Sequence, residues 1–431
     1  MEENNVLIPK GWERVKFSEY ISFQEGPGLM SFLFREIGFP FINIRCIENG
    51  NINKESCQFL SEEIAQNQYK HFQLEENDLI VSTSGTLGKK AFVKKSDLPL
   101  LLNTSIIRFK PKDTDVMSLN FLNFLLEDNS FLYNLYSQST GSAQVNVGPT
   151  HLKKLFITIP KTSKEQNKIA EILSKVDNAI SETEIIIAKY NRIKTGLIQD
   201  LLTKGIDEKG NIRSEELHEF KNSPLGRIPN QWEVEKLGNL TLKIGDGTHS
   251  SVVFSDDDIV PFLFVSCIKP NKIDWSKKTS ISLNEYNKIS KGKEPKDGTV
   301  LYSLVGSYGN AVKLNSNERL SFQRHIGFIE TKRDILMPEF LTLFLNSGFG
   351  KMQADDLAVG NAQKTITLGA LSEFKIIKPS VDEQKEIIER NNFLEKQISN
   401  FKKSLTKHQS IKTGLMQDLL SGKKRVTHLI N

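Results

Sequence analysis

The side chains that could do chemistry here fall into two sets. In the first half, Ser82, Ser84 and Thr86 alternate along "STSGTLGKK" and lead into Lys89 and Lys90. Hydroxyls and ammonium groups on a glycine-flexed loop suit contacts to phosphate oxygens. Gln144 and Asn146 follow, and amide side chains can bond an adenine edge bidentately. In the second half the matching positions are Ser307, Tyr308 and Asn310 in "SLVGSYGNAVKL", then Gln363, Lys364 and Thr365. Lys243 and the turn "GDGTHSS", with Thr248, His249 and Ser250, add donors, as do Arg324 and His325. Any one of these alone reads as a solvated turn residue. As a set they suit phosphate and base-edge contacts.

Catalysis would need a different constellation, and the sequence lacks it. "GTLGKK" has neither the spacing nor the terminal Ser or Thr of a phosphate loop. No HExxH, GxSxG or glycine fingerprint for a nucleotide cofactor occurs, nor the Asn-Pro-Pro or Asp-Pro-Pro of an adenine methyltransferase site. "EFK" at Glu373 is too short to define a nuclease. Cys46, Cys57 and Cys267 form no close pair or metal-type spacing in sequence and read as small buried hydrophobes. Binding, with no cofactor or metal held by this chain, is the better class.

Charge permits a DNA partner without demanding one. The net charge of +5 divides into −2 for residues 1–160, −1 for 161–220, +4 for 221–380 and +4 for 381–431. No segment is a strongly basic arm. The apolar runs, such as "LPLLL", are too short to span a bilayer, and "MEENNVLIPKG" is acidic where a signal peptide would be basic. The expectation is a cytoplasmic protein with no membrane partner.

The elements that must position these side chains are themselves duplicated. "IKTGLIQDLL" from Ile193 recurs as "IKTGLMQDLL" from Ile411, and paired landmarks extend outward at a nearly constant offset. "IPKGWERVKF" answers "IPNQWEVEKL", aligning Trp12 with Trp232, which read as core anchors. Gly26 and Gly28 fall opposite Gly245 and Gly247, Cys46 opposite Cys267, and Gly85 and Gly88 opposite Gly306 and Gly309. Each unit of about 220 residues opens with a head that mixes β-branched runs, glycine turns and a helical stretch near Phe121 or Phe340. That predicts α/β (α+β) heads.

Each head is followed by about 40 residues whose apolar positions recur at alternating steps of four and three. The seam comprises Leu173, Val176, Ile180, Ile187, Tyr190, Leu197 and Leu201 in the first copy, and Leu394, Ile398, Phe401, Leu405, Leu415 and Leu419 in the second. A mean period of 3.5 is a coiled-coil seam, on helices about 60 Å long. An antiparallel pair within the chain would cover both seams and set two pseudo-symmetric heads at opposite ends; a coil between molecules is the alternative. The boundaries are head one at 1–160, helix at 161–205, linker at 206–225, head two at 226–380, helix at 381–422 and a basic tail at 423–431.

The twice-present "IPxxWE", the "EQ" opening each long helix and the "KTGL(I/M)QDLL" closing it resemble the specificity subunits of type I restriction-modification systems, over the whole chain. The resemblance implies that each head is a target recognition domain reading one half of an asymmetric, bipartite double-stranded DNA target, with the helices fixing the spacer. It implies two modification subunits that methylate adenine with S-adenosylmethionine, and restriction subunits that use ATP and Mg. The chain itself would be non-catalytic. A methyltransferase fused to its own recognition domain and a structural adaptor that bridges proteins are the competing classes.

Overall fold

The strand Leu79–Ser82 is buried at every position, as a strand covered on both faces must be. It pairs antiparallel with Lys90–Phe92 on one side and Ile106–Pro111 on the other, and Ile21–Glu25 completes a four-stranded sheet. Val300–Ser303, equally buried, occupies the same place between Ala311–Lys313 and Ile326–Thr331, with Thr241–Asp246 at the edge. Both heads are therefore α+β structures whose four-stranded sheet is antiparallel and keeps one strand order. The computed structural model describes residues 8–83, 88–137, 148–257, 259–315, 317, 319–360 and 364–430.

The chain divides into two compact units, Met1–Glu184 with Lys403–Asn431, and Ile185–Lys402. Each unit thus takes one head and a segment of both long helices, Ser163–Thr203 and Val381–Leu420. A two-stranded ribbon brings each head back to its helix: Trp12–Lys16 pairs with Phe156–Pro160, and Glu233–Lys236 with Lys375–Lys378. The tryptophans that open these ribbons are core residues, Trp12 at 3% exposure and Trp232 at 0%. In the first unit Trp12 shares a core with Phe121, Ile169, Leu173 and Leu419; in the second, Trp232 shares one with Phe340, Ile387 and Leu201.

Within each unit the helix segments run antiparallel. In the first, Asp177 pairs with Lys412 at 2.8 Å. In the second, the Tyr190 and Phe401 rings lie 5.2 Å apart and Lys194 pairs with Glu395. Partners on one helix fall in number as those on the other rise. Every expected seam residue is buried or half-buried.

The glutamine of each "EQ" welds helix to head. Gln166 accepts from Ser118 N and donates to the Val116 and Pro160 carbonyls; Gln384 accepts from Met337 N and donates to those of Ile335 and Pro379. Both are fully buried, so each amide exchanges water for three internal hydrogen bonds.

Three parts of the chain hold more structure than their sequence suggests. The linker 206–225 is itself packed: Ile206, Arg213 and Leu225 are buried and Phe220–Ser223 forms a hairpin with Gly226–Pro229. The basic tail likewise packs down, burying Val426 and engaging Arg425 with Glu165. Cys46, Cys57 and Cys267 are buried, as expected of small hydrophobes, and Cys46 and Cys57 also meet in three dimensions. Their thiols share a hydrogen bond that lowers Cys46 to about 7 and, with burial, pushes Cys57 up. Among the described residues no helix is long and apolar enough to cross a membrane.

Candidate nucleic-acid interface

In the second unit the expected contact residues gather at one end of the four-stranded sheet. Past the end of Thr241–Asp246, Gly247 N donates to Ile326 O at 3.1 Å and Thr248 N to Phe322 O at 2.9 Å. Arg324 N returns a bond to Thr248 O at 3.1 Å, and Leu304 N donates to His325 O at 2.9 Å. A bridge from Val305 to Thr365 brings in a fourth segment. Backbone hydrogen bonds therefore hold residues 247–250, 304–310, 323–325 and 364–366 together as one surface.

Only part of that surface faces water. His249, Ser250, Ser307, Arg324 and Lys364 are exposed. His249 Nε2 sits 2.7 Å from Asp246 Oδ2. His325 is half-buried, and its burial, together with Arg324 and His249, lowers its pKa and favours the neutral imidazole. Lys243 donates to Gly292 O and lies 5.2 Å over the Phe328 ring, while Lys293 donates to Gly247 O. These two lysines tie the 292–293 turn to the same edge.

Other expected contacts are spent on the fold. Thr248 is buried, and its Oγ1 accepts from Ser250 N at 3.1 Å. Asn310 closes its own turn, with Nδ2 donating to Ser307 O at 2.8 Å. The Tyr308 hydroxyl donates to Asp355 Oδ1 at 2.7 Å, and half-buried Thr365 exchanges backbone bonds with Val359.

The first unit differs more from expectation. Ser82 is buried and its Oγ accepts from Lys89 N at 2.9 Å, so it shapes the turn. Lys89 is half-buried. Lys90 turns inward to meet Glu127 at 2.6 Å and the Asn123 carbonyl at 2.5 Å, with the Phe124 ring beside it. Burial pushes its ammonium below the usual lysine range despite Glu127. It is a structural cation rather than a phosphate contact. Ser84, Thr86, Gln144, Asn146 and Gln363 lie outside the described residues.

The residues missed in the first unit are Asn103, Thr104 and Ser105. Thr83 N donates to Ser105 O at 2.9 Å, repeating the Leu304-to-His325 bond, and Gly26 N donates to Ile106 O at 3.4 Å, repeating that of Gly247. Gly26 is thus the counterpart of Gly247, not of Gly245, a shift of two residues from the expected alignment. The sequence signal is "LLNTSIIRF" against "SFQRHIGFI", which share the turn position and little else. Lys293 was hidden in the lysine run "KISKGKEPK".

The family model for the type I restriction modification DNA specificity domain matches twice, over residues 9–190 and 229–408. The chain belongs to this family. Among relatives of this type I specificity protein, the MjaVIII specificity subunit of Methanocaldococcus jannaschii is 26% identical, over 99% of this chain and 96% of that one. The EcoBI specificity subunit of Escherichia coli is 22% identical over 91% of this chain and 82% of that one. The fold is that of the type I restriction-modification S subunit from M. genitalium, with a TM-score of 0.55, 16% identity and 97% of each chain covered. A structure described as addressing complex assembly and conformational transition of the type I system matches with a TM-score of 0.58 at 15% identity, covering 96% of this chain and 98% of that one. The two matched spans contain both edge surfaces described above, so the duplicated specificity domain and the duplicated sheet are the same repeat.

Proposed function

We propose that this chain is the DNA sequence-specificity subunit of a type I restriction-modification complex, each unit reading one half of a bipartite target through the sheet edge that carries its turns. The observation that carries this reading is a common frame bearing unlike residues. The same backbone hydrogen bonds support Asn103–Thr104–Ser105 in one unit and Gln323–Arg324–His325 in the other. Phosphates are alike at every base pair and bases are not, so equal frames with unequal side chains suit the recognition of two different sequences.

The long helices have two roles in this proposal. Running through both units, they fix the number of unread base pairs between the half-sites. Their doubled surface also offers two modification subunits the same docking face: Thr195, Gly196 and Gln199 are exposed, as are Thr413, Gly414 and Gln417. Neither glycine has anything within 4 Å of where a Cβ would stand. Glycine inside an exposed helix costs about 1 kcal/mol relative to alanine, so its repetition where nothing in the chain crowds it fits close approach by another subunit. S-adenosylmethionine would sit on the modification subunits, and ATP with Mg on restriction subunits; this chain would supply recognition and no catalysis. Mapping methylated adenines genome-wide in a host with and without the gene tests the reading. A bipartite adenine-methylated motif present only with the gene is expected, and identical maps would refute it.

A further inference from the structure

The turns at the sheet edge are held alike in the two units. Ile106 N donates to Asn103 O at 3.0 Å, and Ile326 N to Gln323 O at 3.0 Å. Beneath each turn lies a glycine that no other residue could replace without displacing backbone. A Cβ on Gly26 would fall 2.5 Å from the Asn103 backbone, and one on Gly247 would fall 2.1 Å from Phe322 O. Each turn is therefore pressed onto its sheet, and its middle residue, Thr104 or Arg324, is the exposed one between half-buried neighbours.

Arg324 makes no ion pair or side-chain hydrogen bond among the described residues. Asp246, at the end of the strand that leads into this edge, is engaged by His249 at 2.7 Å and Lys293 at 3.7 Å. A guanidinium on a fixed backbone, with its planar fork unspent, fits the O6 and N7 acceptors that guanine shows in the major groove. A phosphate contact would serve both units with the same residue, because the backbone of DNA is the same under each. The units instead carry arginine and threonine at this one exposed position. Threonine can donate, accept or touch a thymine methyl, and does not demand guanine.

We infer that Arg324 is a specificity-determining residue of the second unit that reads a guanine edge, and that Thr104 holds the corresponding reading position in the first. This rests on the DNA-recognition reading above. The test assembles the chain with its modification subunits and selects bound duplexes from a pool with both half-sites randomised, for the natural chain, Arg324→Thr, Arg324→Lys and Thr104→Arg. The natural complex should select guanine at one position of one half-site, and Arg324→Thr should erase that preference by roughly 5- to 150-fold while sparing the other half-site. Thr104→Arg should introduce a guanine preference in the other half-site. If Arg324→Thr fails to assemble, Arg324→Lys decides: retained guanine with a smaller margin supports the inference, and loss of any guanine preference with binding intact overturns it. Arg324→Thr that weakens all sequences equally, or selects unchanged bases, also overturns it. A natural complex that selects no sequence contradicts the DNA-recognition reading itself.

Discussion

Arg425 grips both carboxylate oxygens of Glu165, with Nε 2.6 Å from Oε1 and Nη2 2.6 Å from Oε2. Arg213 grips both oxygens of Glu383 end-on, through Nη1 to Oε1 and Nη2 to Oε2, and Trp232 Nε1 adds a bond to Oε2 at 2.9 Å. Each clamp joins the segment beyond one helix's C-terminal end to the opening turn of the other. Arg213 and Glu383 are 6% and 8% exposed, against 28% and 2% for Arg425 and Glu165. Removing one partner of a buried pair strands the other charge, so Arg213→Ala and Arg425→Ala should each cost about 3–5 kcal/mol, since Glu165 is the more buried carboxylate while Glu383 keeps Trp232 Nε1 and Ile206 N as donors. Hydrogen exchange should show the loss of protection over residues 206–232 for Arg213→Ala and over residues 8–16 for Arg425→Ala.

Acid should loosen the first unit through a neighbouring network. Lys412 meets Asp177 at 2.8 Å and Glu127 at 3.0 Å, and Glu127 also meets Lys90. Burial alone would raise the Glu127 carboxyl, but Lys90 and Lys412 together hold it below its ordinary value of 4.5. A carboxyl lowered on folding contributes stability above its unfolded value, and that contribution is lost as pH falls through the folded value. Denaturation midpoints measured from pH 6 downward should drop below about pH 4.5, and Glu127→Gln should flatten that limb. An unchanged limb in the variant would remove Glu127 from the account.

The glycines of the repeated segment should separate stability from assembly. Gly196→Ala with Gly414→Ala should raise stability by roughly 1 kcal/mol per site, since both face open space. The same double variant should bind the modification subunits more weakly. Gly205→Ala should behave oppositely, because its φ is +65° and a Cβ would collide with Glu383, Trp232 and Arg213. Thermal melts with titrations of the modification subunit check both, and unimpaired assembly of the double variant would move the docking face elsewhere.

Much of this architecture was legible in the sequence because the repeat printed it twice. The seam was readable from spacing alone, and Leu173 and Leu419 are buried in one core. The contact residues were less so. Whether Lys90 faces a ligand or Glu127 depends on which face of a strand it occupies, and "GKKAFV" cannot settle that without the helix it packs against. Arg213 and Arg425 looked like linker and tail because their glutamates lie 170 and 260 residues away. Asn103–Ser105 carries no charge, and only its hydrogen bonds, which match those of Gln323–His325, mark it as the counterpart turn.

Lengthening both helices should change the spacer and nothing else. Four residues inserted after Glu184, with four after Lys402, add about 6 Å of helix. The methylated motif should gain one or two unread base pairs while both half-sites keep their bases. A change in the bases read would show that the helices do more than space the units.

The central claim is that each unit reads its own half of the target. The direct measurement replaces residues 1–160 with the corresponding head of a relative and maps methylated adenines across the genome. One half-site should change while the other half-site and the spacer stay as they were. An unchanged motif, or a change in both halves, would contradict the account.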